Sequence, residues 1–133
     1  MPAWRDTAAI ALTKEYGLDA RRGGPFGIEW VIGDDGPHVH HPTATLAEGR
    51  FAKLRFTNRT YRLHPMHVHG MFFKVLSRNG VAVDEPFWRD TALVHAQETV
   101  DVGMVPLDVG KWMLHCHVLE HQEAGMMTLV EVR

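Results

Sequence analysis

The chain has 133 residues, which is enough for one domain with a real hydrophobic core. Apolar residues make up 45% and charged residues 23%, as in ordinary globular proteins, and a net charge of -2 gives no reason to expect nucleic acid or an anionic membrane as a partner. No apolar run approaches membrane-spanning length, and the single cysteine, Cys116, excludes an internal disulfide.

Residues 1–25 are the least regular part of the sequence and are expected to form an N-terminal extension or linker. Asp6 or Thr7 could cap a short helix that runs to about Tyr16 and ends at Gly17. The apolar run over residues 7–12 is short and flanked by charges, so it does not predict a signal peptide. Such a start fits a cytoplasmic protein, a mature form or an excised piece.

Residues 26–133 are predicted to fold as one all-β domain. Apolar and polar residues alternate in short segments, with turn signals every eight to twelve residues, which predicts seven or eight strands. Asn79-Gly80 gives the hairpin signal. This pattern is typical of an antiparallel Greek-key β-sandwich. The predicted strands cover residues 26–32, 50–58, 71–77, 81–83, 91–94, 98–104, 111–117 and 127–132.

The segment from His115 to Met126 carries the main chemical signal. A thiolate, imidazoles and a thioether within twelve residues are the ligands that copper prefers. In a strand, residues two apart point to the same face at a spacing of about 6.6 Å, and the residue between them points to the other face. His115 and His117 are therefore expected on one face, with Cys116 on the opposite face.

An earlier motif, HPMHVHG over residues 64–70, adds three more histidines. The same alternation puts His67 and His69 on one face of a strand. His64 lies three residues before His67, across Pro65, which fixes the backbone and is expected to interrupt regular strand pairing. His64 can therefore point in another direction.

Two ligand sets follow from these motifs. His64, Cys116 and His121 form a trigonal set with Met126 as a weak axial ligand, which describes a blue-copper electron-transfer site. The spacing Cys-x4-His-x4-Met suits a loop folded around one ion. The second set consists of imidazoles alone and suits further copper ions; it comprises His67, His69, His115 and His117.

Each assignment has a simpler alternative. An isolated cysteine is more often an inert buried thiol, and zinc also binds Cys and His, although structural zinc sites rarely use methionine. His67 and His69 could be surface or hydrogen-bonded histidines. Solvated or structural positions are the preferred interpretation for the remaining histidines, His38, His40 and His41 in a loop and His95 beside a turn.

The two motifs together resemble the paired copper signatures in the C-terminal cupredoxin domain of multicopper oxidases, the laccase-like family. The matching patterns are His64-Pro65-x-His67-x-His69-Gly70 and His115-Cys116-His117-x3-His121-x4-Met126. Residues 88–91 (WRDT) and 110–112 (GKW) also look like segments of that family. The resemblance covers roughly residues 26–133 and implies a cupredoxin-like sandwich there.

The resemblance implies a role for each donor. The type 1 copper, which takes electrons from a reducing substrate, would be held by His64, Cys116, His121 and Met126. His67 would bind the type 2 copper, and the type 3 pair would be bound by His69, His115 and His117. In this family, electrons pass along the His115-Cys116-His117 strand to the trinuclear cluster, which reduces O2 to water. Met126 as axial ligand implies a moderate potential.

Two features depart from the family pattern. The family's trinuclear cluster uses eight histidines, and a domain of this type supplies only four, whereas this sequence contains no clear second domain. His38-x-His40 has the right spacing but lacks a following glycine and a partner motif. Gln122 stands where many bacterial relatives have an acidic residue that helps proton delivery, and Glu120 and Glu123 are the candidate substitutes.

Half a cluster leaves three hypotheses. The chain is a piece of a larger oxidase completed by another cupredoxin domain; or two copies assemble and supply eight histidines together; or it is a stand-alone blue-copper electron-transfer or copper-binding module. The resemblance implies O2 and a phenol, aromatic amine or metal ion as substrates, and a periplasmic or secreted location. Neither a nucleic acid nor a membrane is expected as a partner.

Overall fold

The computed structural model describes residues 12–22, 27–33, 42–116 and 126–133, and all regular structure in these residues is β-strand. No helix in these ranges is long and apolar enough to cross a membrane. Eleven strands are present in the described part of the chain: β1 (Lys14–Arg22), β2 (Ile28–Ile32), β3 (Pro42–Leu46), β4 (Ala52–Asn58), β5 (His64–Val68), β6 (Lys74–Arg78), β7 (Val81–Ala82), β8 (Thr91–Val94), β9 (Thr99–Met104), β10 (Gly110–Cys116) and β11 (Met127–Val132).

The strands form two sheets. The six-stranded sheet has the order β2-β1-β4-β9-β6-β7, and the five-stranded sheet has the order β3-β11-β10-β5-β8. The prediction of an all-β sandwich is confirmed. The predicted strands are found with ends shifted by a few residues where the structure describes them, whereas the predicted ends at residues 26 and 117 lie outside the described residues. The purely antiparallel arrangement is wrong in two places, because β1 pairs with β4 and β3 pairs with β11 in parallel.

The predicted helix ending near Tyr16 is wrong where the structure describes this segment, because residues 14–22 form β1. Tyr16 and Leu18 are fully buried and point to the core at the two-residue period of a strand. β1 is hydrogen-bonded to β2 on one side and β4 on the other. This part of the expected extension is therefore integrated in the sheet, while the boundary at residue 25 stays a prediction.

β3 is a strand that the sequence pattern did not predict. It lies at the edge of the five-stranded sheet, and only Leu46 of its five residues is buried. An edge strand with so little apolar content gives a weak alternation signal. Its position is decided by tertiary contacts, namely the parallel pairing with β11 and a 2.9 Å hydrogen bond between the hydroxyls of Thr43 and Thr128.

The core lies between the two sheets and takes alternate residues from each. Leu54 and Phe56 on β4 are fully buried, as are Met66 on β5 and Leu114 on β10. Burying one such side chain stabilises the fold by about 1.5–3 kcal/mol. His64 shares its side of β5 with Met66, because the burial along this strand alternates strictly. The core-facing side of the five-stranded sheet therefore contains polar donors among apolar residues.

Candidate metal centre

β10 lies at the middle of the five-stranded sheet, with β11 on one side and β5 on the other. In the antiparallel register with β5, His115 lies opposite His67 and Cys116 lies opposite Met66. Directly opposed residues in an antiparallel pair point to the same face. The register thus brings together two histidines from distant motifs on one face and keeps Cys116 with Met66 on the other.

Cys116 and His64 meet on the core-facing side of this sheet. The Cys116 Sγ lies 3.6 Å from Nδ1 of His64, and both side chains are fully buried. The backbone N–H of Cys116 donates to the carbonyl of Met126 at 3.1 Å, and the Met126 side chain is also fully buried. Three of the four predicted donors of the trigonal-plus-axial set therefore come from neighbouring segments of the core.

β5 is regular from His64 to Val68, contrary to the expectation that Pro65 interrupts it. Pairing with β10 begins only at Met66, so the missing N–H of Pro65 falls outside that ladder. His64 and His67 are an odd number of residues apart and so point to opposite faces of one strand. The prediction that they point in different directions is confirmed, with regular alternation as the reason.

Three imidazoles cluster on the opposite face. The ring centroids of His67 and His69 are 4.6 Å apart, those of His67 and His115 are 5.6 Å apart, and those of His69 and His115 are 5.0 Å apart. The Nε2 atoms of His69 and His115 approach to 2.9 Å. His69 follows the end of β5, where its backbone N–H still donates to the carbonyl of Met113 on β10.

Two of these rings are oriented by backbone carbonyls. Nδ1 of His67 lies 2.8 Å from the carbonyl oxygen of Asp90, and Nδ1 of His115 lies 2.9 Å from that of Cys116. A carbonyl only accepts, so each Nδ1 carries the hydrogen and each Nε2 carries the lone pair of the neutral ring. Metal-binding histidines are commonly held in this way, with the other ring nitrogen donating to a carbonyl.

The loop that supplies the Asp90 carbonyl is itself anchored. Arg89 and Phe73 exchange two backbone hydrogen bonds of 2.7 Å. The Arg89 guanidinium donates two hydrogen bonds to Glu85, at 2.8 and 2.9 Å, and these hold the pKa of the Glu85 carboxyl below its usual value. The sequence drew attention to residues 88–91 only through the family resemblance, and their contact with His67 is a finding of the structure.

Gly70 turns the chain immediately after His69. Its φ is +77°, and a Cβ at this position would lie 2.2 Å from the ring of Trp112. A residue with a side chain is therefore excluded both by backbone conformation and by the indole. Trp112 lies on β10, so this packing fixes the end of the first motif against the strand that carries the second.

A mostly apolar cleft with a volume of about 820 Å³ opens beside the imidazole face. Its rim includes Phe72 and Leu107, which are 63% and 70% exposed. Exposed apolar side chains that surround a polar centre are typical of a binding or assembly surface. The lining includes His67, His69, Met71, Phe72, Trp88 and Leu107.

The remaining predicted donors, His117 and His121, lie outside the described residues, as do His38, His40 and His41. Among the residues that are described, no three His, Cys, Asp or Glu side chains come close enough to hold one ion. Each predicted set includes one of the undescribed donors. His95 is exposed and belongs to neither predicted set. The buried Cys116 thiol lies beside an imidazole, its backbone bonds to a buried methionine, and an imidazole cluster lies on the other face of the sheet. Sulfur and imidazole donors of this kind fit copper better than harder cations.

Comparison with known proteins places this chain beside copper oxidases. A family model described as multicopper oxidase matches residues 17–133. The multicopper oxidase MmcO of Mycobacterium tuberculosis is 32% identical over 103 residues, covering 77% of this chain and 20% of that protein. A laccase of Bacillus subtilis is 31% identical over 116 residues, covering 70% of this chain and 22% of that protein.

A solved structure agrees in fold as well as in sequence. The multicopper oxidase of Pseudomonas thermotolerans superposes with a TM-score of 0.77 and 34% identity, covering 95% of this chain and 30% of that one. The chain spans about a fifth of the length of MmcO and of the Bacillus subtilis laccase. The matched region is therefore comparable to one domain of these larger proteins.

Proposed function

Because this chain belongs to the multicopper oxidase family, whose cofactor is copper, we propose that it supplies the type 1 copper site and half of the trinuclear cluster of a laccase-like oxidase. The observation that supports this proposal most directly is that His115 and Cys116 are adjacent residues on β10 with side chains on opposite faces of the sheet. Cys116 meets His64 inside the core, whereas His115 meets His67 and His69 on the opposite face. One peptide unit therefore connects two donor clusters.

His64, Cys116, His121 and Met126 form the proposed type 1 set. The 3.6 Å approach of sulfur to Nδ1 and the burial of Met126 support it, because the donors are held in the core before any ion binds. A buried site excludes water and limits the movement of the donors, which favours fast electron transfer. Loss of the thiol proton on binding would leave Cys116 as a thiolate.

His67, His69, His115 and His117 form the proposed half of the cluster. The carbonyl-directed Nδ1 atoms of His67 and His115 support this assignment, since they leave Nε2 as the coordinating nitrogen of each ring. Bound copper would supply one-electron redox chemistry there. The covalent path from the Cys116 sulfur through its backbone to the flanking imidazoles is short, and buried strand pairing on both sides keeps it rigid.

The remaining four histidines of the cluster would come from another polypeptide segment. A partner cupredoxin domain could supply them, as could a second copy, because twice four histidines gives the family's eight. The apolar rim at Phe72 and Leu107 supports docking beside the imidazole face. In the complete oxidase, four one-electron oxidations of a phenol, aromatic amine or metal ion would provide the electrons that, with four protons, convert O2 to two water molecules. The family implies a periplasmic or secreted location.

Copper(II) titration of the metal-free chain tests the type 1 assignment. We expect an intense blue thiolate-to-copper absorption that saturates with copper and is lost in Cys116→Ser, which replaces only the sulfur atom. Absence of colour in a folded, copper-loaded wild-type chain would refute the assignment. Light scattering combined with copper quantitation tests the completed cluster, and a monomer with one copper per chain would contradict assembly from two copies.

A stand-alone blue-copper electron-transfer or copper-binding module is the second candidate. The observation that favours it is that Cys116, His64 and Met126 are all buried within this one chain, so the thiolate face needs no partner. Oxygen consumption separates the two candidates. A blue chain that accepts electrons from a phenol but consumes no oxygen in any assembly state would support the module and contradict the oxidase.

A further inference from the structure

The side-chain amide of Asn58, at the end of β4, is fixed in orientation by its neighbours. The residue is only 2% exposed. Its Nδ2 donates to the carbonyls of Arg62 at 2.8 Å and His95 at 3.0 Å, and its Oδ1 accepts from the backbone N–H of Thr60 at 2.9 Å. Exchanging the amide oxygen and nitrogen would place the oxygen against two carbonyls and the nitrogen against the N–H of Thr60, so only this orientation satisfies the contacts.

The hydroxyl of Thr60 connects the side chain of Asn58 to the ring of His64 by hydrogen bonds. Its Oγ1 lies 2.7 Å from Oδ1 of Asn58 and 2.8 Å from Nε2 of His64. Oδ1 has no hydrogen to donate, and two oxygens at 2.7 Å repel each other unless a hydrogen lies between them. The other acceptor near this hydroxyl, the carbonyl of Arg62, is farther away at 3.3 Å, so the hydroxyl hydrogen is directed to Oδ1. The Thr60 oxygen then meets Nε2 with a lone pair, and Nε2 is the ring nitrogen that carries the hydrogen.

The consequence for His64 is a defined tautomer. With the hydrogen on Nε2, the lone pair of the neutral ring is on Nδ1, the atom that lies 3.6 Å from Cys116 Sγ. The ring is fully buried, and Trp30 packs edge-on against it with 5.3 Å between ring centroids. Hydrogen bonding at one side of the ring and packing at another hold Nδ1 toward the sulfur.

We propose that Asn58 and Thr60 are positioning residues that select the His64 tautomer and present Nδ1 to the type 1 copper. This inference rests on the proposed function, since the type 1 assignment is what gives His64 a metal to bind. The hydrogen bonds from Asn58 through Thr60 to His64 follow the connection from β4 in one sheet to β5 in the other. The conformation of this connection therefore sets the orientation of the His64 ring. Groups that orient a metal-binding histidine typically change metal affinity 10–100-fold, so an effect of about that size is expected.

Thr60→Val is the sharpest test, because it removes the hydroxyl and nearly conserves the shape of the side chain. Long-range 1H–15N NMR of the metal-free protein should show His64 with its hydrogen on Nε2 in the wild type and a mixture of tautomers in the variant. Copper(II) affinity at the blue site should fall about 10–100-fold, with a shifted or weakened blue band. Thr60→Ser restores the hydroxyl and should recover both the tautomer and the band.

The matched control is Thr43→Val, which removes a half-buried hydroxyl whose hydrogen-bond partners are Tyr16, Thr128 and the carbonyl of Leu129. It should lower stability while leaving the His64 tautomer and the blue band unchanged. Thr60→Val with wild-type tautomer and wild-type copper affinity overturns the proposal. So does a wild-type chain with the hydrogen on Nδ1 of His64, a result that needs no variant. Failure of the proposed function is a separate outcome, because it appears as a wild type that never turns blue.

Discussion

His67 and His115 lie directly opposite each other on the antiparallel strands β5 and β10, with ring centroids 5.6 Å apart. They are 48 positions apart in the chain by their residue numbers and are neighbours only through the register of the two strands. A shift of that register by one residue would move His67 to the core face and Met66 to the surface. The buried side chains of β5 thus also fix the position of the imidazoles.

His67→Ala should impair the proposed trinuclear cluster without impairing the proposed type 1 site. Oxygen consumption with a phenol or cuprous donor is expected to fall about 10–100-fold or more, because a ligand of the imidazole face is lost. The blue absorption should be nearly unchanged, since His67 points away from Cys116. His95→Ala is the control because His95 is an exposed histidine outside both sets. Equal oxygen consumption in both variants would contradict the assignment of His67.

Phe72→Glu should weaken assembly at the cleft. Phe72 is 63% exposed beside the imidazole face, and a charge there would have to lose its water on docking. We expect the concentration at which the copper-loaded oligomer dissociates to rise at least about tenfold, measured by light scattering over a dilution series.

Val81→Glu provides the matched control for this experiment, because Val81 is similarly exposed, at 69%, but lies on β7 at the edge of the other sheet. The control should assemble as the wild type does. Unchanged dissociation of Phe72→Glu would show that this rim is not the contact surface.

Gly70→Ala should destabilise the fold more than Gly80→Ala. Both glycines have positive φ, at +77° and +79°, so both substitutions cost about 1 kcal/mol or more in backbone strain. Only Gly70 has the Trp112 ring where the new Cβ would lie, which adds a packing cost of about 1–3 kcal/mol. Urea unfolding of the metal-free protein measures the difference. Equal losses of unfolding free energy would contradict the close contact with Trp112.

Glu85→Gln should change how stability depends on pH. Hydrogen bonds from Arg89 lower the folded-state pKa of Glu85 below its ordinary value of 4.5. Its contribution is therefore complete above the unfolded-state pKa and is lost as pH falls through the folded-state pKa. At neutral pH the variant should be about 0.5–1 kcal/mol less stable, and this difference should shrink in acid. Unfolding curves at several pH values measure it, and a difference that is constant with pH would contradict the ion-pair origin.

The sequence by itself determined the all-β class and most strands, and it is the source of the proposed donors. Alternation needs only local information, and it separates the Cys116 side from the His115 side without any knowledge of partner strands. The spacing of the two motifs also indicated the family, because few protein sites combine these residue types at these offsets. The two strands that were missed or taken for helix, β1 and β3, are those whose positions depend on parallel pairing with distant segments.

The tertiary structure alone decided which groups orient the donors. No sequence pattern indicates that the Asp90 carbonyl contacts His67, or that Thr60 connects Asn58 to His64 by hydrogen bonds. These contacts depend on register and on the packing of loops from different sheets, which are set by the burial of the whole core. The residue types were fixed locally, but the direction of each ring and the nitrogen that carries its lone pair were fixed by the assembled sandwich.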